Sequence, residues 1–137
     1  FTDTTSLILK SSAIVIGMGL FIIFVVWKYN DLIFYGIQKV IPQLTIQSKL
    51  LILPLFCSGF LWQLSFLTHK MMELKEKTIY MVMAIIPSLL INIIGNIDFL
   101  PKLGGVATAY TALFSALVYC IITGIYSIYS IYKINTL

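Results

Sequence analysis

The stretch Leu7–Trp27, LILKSSAIVIGMGLFIIFVVW, decides the fold. It holds 21 residues and one charge, Lys10. At a rise of about 1.5 Å per residue such a helix reaches about 31 Å, the thickness of a bilayer's hydrocarbon core. Neither Ile14-Val15-Ile16 nor Phe21 to Val26 alternates polar with apolar, as barrel strands do. In lipid every backbone N–H and C=O needs an internal partner, so the segment reads as a transmembrane helix. The run is too long for the apolar centre of a signal peptide.

Three further segments share this character: Leu50–Leu67, Ile79–Ile97 and Val106–Ile131. Of the 14 charged residues, Lys10 alone falls inside the four spans. The chain as a whole is 60% hydrophobic and 10% charged over 137 residues. A soluble domain is about half apolar and a quarter charged, and one this small could not hide so much apolar surface. A secreted domain, a cytosolic enzyme and a disordered tail are therefore excluded, and the expected fold is an all-α membrane protein with four transmembrane helices.

The charge is a net +4, with every cation a lysine. The lysines sit at the ends of apolar runs, where they set topology and meet anionic head groups. No lysine stripe interleaved with aromatics exists to follow a phosphate backbone, so nucleic acid is not an expected partner. The connector Lys28–Lys49 contains the apolar Leu32-Ile33-Phe34-Tyr35 and reads as an interfacial loop or a short surface helix. The connector His69–Lys77 carries Lys70, Lys75 and Lys77 against Glu73 and Glu76, and its lysine density favours the cytoplasmic side. The third connector is read as Asp98–Gly105. Trp27 and Tyr29 close the first span, and Tyr126, Tyr129 and Tyr132 mark the end of the fourth. Pro54 and Pro87, inside apolar runs, each remove a backbone hydrogen bond and predict local kinks.

Chemistry-bearing constellations are sparse. The one histidine, His69, lies in a connector without a nucleophile at motif spacing, no pair of intramembrane carboxylates exists, and no phosphate-binding glycine loop occurs. Cys57 and Cys120 read as small buried hydrophobes, and Met71, Met72, Met81 and Met83 as packing residues. Neither an enzyme nor a metal or cofactor site is expected. Asn92 and Asn96, four apart, share one face of the third span and must meet another helix or a wet cavity. Lys10 either snorkels to the head groups or holds an anionic ligand, and Gln63 poses a weaker form of that question. Gly104, Gly105, Ala107, Thr108 and Ala109 open the fourth span with small residues that permit close helix packing.

The run Glu73–Tyr119 contains a Lys/Glu connector, a helix ending Asn92-Ile93-Ile94-Gly95-Asn96, a Pro101-Lys102-Leu103-Gly104 turn, and a helix opening Ala107-Thr108-Ala109. In that order it resembles the C-terminal region of polysaccharide-exporting flippases of the multidrug/oligosaccharidyl-lipid/polysaccharide exporter superfamily. Phe34-Tyr35-Gly36 resembles the family pattern more loosely, and Ala107 stands where the family often has a second glycine. The resemblance implies twelve or more helices in two lobes around a central cavity, of which this chain would supply four. Its partners would be membrane lipid, a lipid-linked oligosaccharide and the missing N-terminal helices of the same polypeptide. It would act by alternating access in the bacterial cytoplasmic (inner) membrane, serving O-antigen, capsule or other surface polysaccharide synthesis. The start at Phe1 rather than Met agrees with a piece of a longer polypeptide.

Two other readings fit the composition. One is a complete four-helix GtrA-like accessory membrane protein; the other is a membrane anchor or assembly subunit with no transport role. A small multidrug pump would need a carboxylate in its first span, and Leu7–Trp27 has none.

Overall fold

A computed structural model of the chain describes residues 2–135, and of residues 2–5, Met71 and 131–135 the backbone alone. The chain is 91% helical, with no strand among the described residues. In order come α1 (Thr2–Lys28), α2 (Asn30–Val40), a 3₁₀ turn at Ile46–Ser48, α3 (Lys49–Thr68), α4 (Lys70–Leu74), α5 (Thr78–Leu103) and α6 (Gly105–Asn135). Four stretches are long and apolar enough to cross a membrane: Ser6–Lys28, Ile46–Leu74, Thr78–Leu103 and Gly105–Ser130. The protein is a multi-pass helical membrane protein.

The third connector is far shorter than the sequence predicts. Asp98, Pro101 and Lys102 belong to α5, which ends only at Leu103. Pro101 lies within the last turn, where it brings no N–H and leaves the Ile97 carbonyl without a ladder donor just before the helix ends. The chain then reverses at Gly104, whose φ of +61° suits a residue without Cβ, and whose N–H returns to the Leu100 carbonyl at 2.9 Å. The connector Lys28–Lys49 is a surface helix, α2, with no buried residue, tied to the start of α3 by a Lys49–Asp31 ion pair. α3 and α5 remain helical through Pro54 and Pro87.

α5 and α6 form an antiparallel hairpin about Gly104. Gly95 packs on Thr111, Ser88 on Ser115, and Tyr80 stacks on Tyr126 with ring centroids 5.7 Å apart. On the other side of α6 lies α3, running parallel to it: Trp62 meets Tyr119 and Thr68 meets Thr123. α1 packs chiefly on α3 and reaches neither α5 nor α6 to a comparable extent. The four spans therefore stand in an open row, α1–α3–α6–α5, with α6 inserted between helices that precede it in sequence.

Large apolar side chains point outward, among them Phe21, Ile97, Phe114 and Ile128, while the interior is mostly serine, threonine and alanine, with Met72 and Tyr119 among the exceptions. This reverses the arrangement of a soluble protein. Lipid tails are as apolar as leucine, so burying leucine gains little, and small residues that allow close backbones and interhelical hydrogen bonds hold the helices together instead.

Candidate functional site

The interior polar groups lie mainly on α6. Thr111, Ser115, Tyr119, Thr123 and Ser127 recur every fourth residue and all are buried. At 3.6 residues per turn this spacing makes one slowly winding stripe. α5 answers it with Ser88, whose hydroxyl donates to the Ser115 carbonyl at 2.7 Å and lies 2.8 Å from the Ser115 hydroxyl. α3 answers with Thr68, 2.7 Å from the Thr123 hydroxyl, while the Ser127 hydroxyl donates to the Thr68 carbonyl. Thr123 and Thr111 also donate back to their own helix, to the carbonyls of Tyr119 and Thr108. Each hydroxyl thus has a protein partner, as a group in lipid requires.

Beside the seam, just past the end of α3, stands His69, whose side chain is only 8% exposed. His69 lies between α3 and α4, and its carbonyl accepts from the Met72 and Glu73 N–H groups at 2.8 and 3.2 Å. Its Nδ1 is 3.2 Å from the Tyr119 hydroxyl of α6, and its Nε2 is 3.3 Å from Glu73 Oε1. The second carboxylate oxygen of Glu73 accepts from Lys70 Nζ at 2.5 Å. Phe66 packs edge-on against the imidazole, with centroids 5.5 Å apart. Three elements thus meet at one imidazole with both ring nitrogens engaged. By its spacing His69 reads as a plain connector residue; the four-residue period of Thr111, Ser115, Tyr119, Thr123 and Ser127 marks the α6 stripe but not the imidazole that joins it.

Asn92 and Asn96 are half-buried on α5, flanking the contact of Gly95 with Thr111. The Asn96 amide donates to the Asn92 backbone carbonyl at 2.8 Å and to its side-chain oxygen at 3.1 Å. The pair bonds along its own helix, and the Asn96 Oδ1 is buried without a partner. Gly95 is required between them: a Cβ there would stand 2.5 Å from Thr111 Cγ2.

The other predicted residues are dispersed. Lys10 is exposed near the start of α1. Gln63 lines a groove of about 620 Å³ between α1 and α3, whose other walls, including Met18, Ile22, Phe56 and Phe60, are apolar. Of the small residues opening α6, Ala107 and Ala109 are buried, whereas Gly104, Gly105 and Thr108 are exposed. Neither glycine has an atom near its missing Cβ, so close packing is not their role; Gly104 serves the turn. Tyr126 stacks on Tyr80 and Tyr129 is exposed, while the side chains of Met71, Tyr132 and Lys133 lie outside the described residues. Among the described residues no group of three or more His, Cys, Asp or Glu could hold a metal ion.

Fold and site together define a multi-pass helical membrane protein with a hydroxyl-lined interior seam. No protein-family model, curated protein or solved structure matches the chain.

Proposed function

We propose that this chain is a wall of a membrane transporter that carries a lipid-linked oligosaccharide across a bacterial cytoplasmic membrane by alternating access. The observation that carries the reading is the Asn92–Asn96 pair: two amides on α5, the edge helix of an open row, with the Asn96 Oδ1 buried and unpartnered. An unmet amide in hydrocarbon is costly unless something reaches it, and sugar hydroxyls are donors of the right kind. An open row leaves helix faces that further helices of a larger assembly would cover. The order Asn-x-x-x-Asn, Pro-x-x-Gly and small-residue helix start, which resembles the polysaccharide-exporting flippases, points the same way.

The test is Asn92→Leu with Asn96→Leu, made in the full-length protein in its own cells. Surface polysaccharide should be lost while the protein stays at normal abundance in the membrane. Normal export at normal abundance removes the transport role of the pair and favours an anchor or assembly subunit. That second reading has its own support in the seam, whose hydroxyls are satisfied internally.

A further inference from the structure

We infer that His69, set between Glu73 and Tyr119 at the α3–α4–α6 junction, is a reversible proton-binding site through which the connector end of the molecule responds to acidity. The inference stands on a different part of the molecule from the Asn92–Asn96 pair and does not depend on transport.

The geometry accommodates both protonation states. In the neutral ring the Tyr119 O–H donates to Nδ1 and Nε2–H donates to the Glu73 carboxylate, across the 3.2 and 3.3 Å contacts. On protonation one proton from the connector side bonds to Nδ1. The new Nδ1–H then donates to the Tyr119 oxygen, and the Tyr119 O–H turns away from the ring. Nε2–H stays on Glu73, and the ring and carboxylate become an ion pair. No heavy atom has to leave its partner, so both protonation states fit the same arrangement of side chains.

The surroundings fit this role. The charged and titratable groups facing the imidazole are Glu73 and Lys70 from α4 and Tyr119 from α6; α3 contributes the Phe66 ring. Lys70, 2.5 Å from Glu73, keeps the carboxylate supplied with a counter-charge when the ring is neutral. The change is transmitted to α6 because Tyr119 lies in the hydroxyl stripe, and its ring is 5.3 Å from that of Trp62 on α3.

The chain has one histidine, so imidazole-labelled protein in lipid nanodiscs gives a single histidine signal set. Nitrogen NMR should show one reversible titration between about pH 5 and 8 with the helices intact by circular dichroism. In Glu73→Gln the midpoint should fall by about one pH unit, because the imidazolium loses its anionic neighbour. With Trp27→Phe leaving Trp62 as the sole indole, Trp62 fluorescence should change with the same midpoint. Glu73→Asp, which keeps the carboxylate, should bring the midpoint most of the way back from its value in Glu73→Gln. A ring that stays in one protonation state across that range overturns the inference, as does an unmoved midpoint in Glu73→Gln. A titration that Trp62 does not follow overturns the response of the junction.

Discussion

The two sides of α3 are built on opposite plans. Toward α6 it presents Ser65 and Thr68, with His69 just past its end, and the contact is dense, small and hydrogen-bonded. Toward α1 it presents Phe56, Phe60 and Gln63 around an apolar groove of about 620 Å³. Burial follows the same division: 39% of an 18-residue window within Gly105–Ser130 is buried, against 6% of one within Ser6–Lys28. In lipid, apolar bulk gives helices no reason to prefer each other over acyl chains. α6 is held by backbone approach and directional bonds, whereas α1 is held mainly where Gly19 lets the Phe60 ring sit against its backbone.

The sharpest way to break this contrast is Gly95→Val. Its Cβ would stand 2.5 Å from Thr111 Cγ2, a short β-branched side chain that has little room to yield. Unfolding in mixed micelles should show a loss of about 3 kcal/mol, at the upper end of overpacking costs. A loss no larger than that from a substitution in the groove would mean that α5 and α6 do not approach this closely.

Thr123→Val keeps the shape of the side chain and removes the hydroxyl shared by Thr68 and the Tyr119 carbonyl. The same measurement should register about 1 kcal/mol, in line with interhelical hydrogen bonds in membranes. No loss at all would assign the stability of the seam to packing rather than to its hydrogen bonds.

The smallest effect is expected at Gly59, which lines the groove and has nothing within 4 Å of its missing Cβ. Gly59→Ala should leave stability unchanged or raise it by about 0.5 kcal/mol, through a stiffer unfolded chain. A clear loss would show that another segment fills the groove.

Much of the fold was legible because hydrocarbon imposes a crude rule. Charges had to leave the spans, and the segments around Ile14, Ile52, Ile86 and Val118 were recoverable from that alone. The end of α5 was not, because Asp98, Pro101 and Lys102 look like a loop by composition yet sit in the final turns of a helix that overreaches the bilayer core. The two asparagines were visible as a pair, but not that they bond along their own helix. The junction at His69 was not legible because its partner Tyr119 stands 50 residues away, and no local pattern links an imidazole to a phenol at that distance.

Hydropathy and charge, which act residue by residue, determined the number of spans and the helical class from the chain alone, since a bilayer tolerates few other backbones. The order α1–α3–α6–α5, the self-bonded asparagines and the engagement of both nitrogens of His69 were decided only by tertiary packing. Those features depend on which faces approach closely enough for hydroxyls and ring nitrogens to bond, and that is a property of helix pairs.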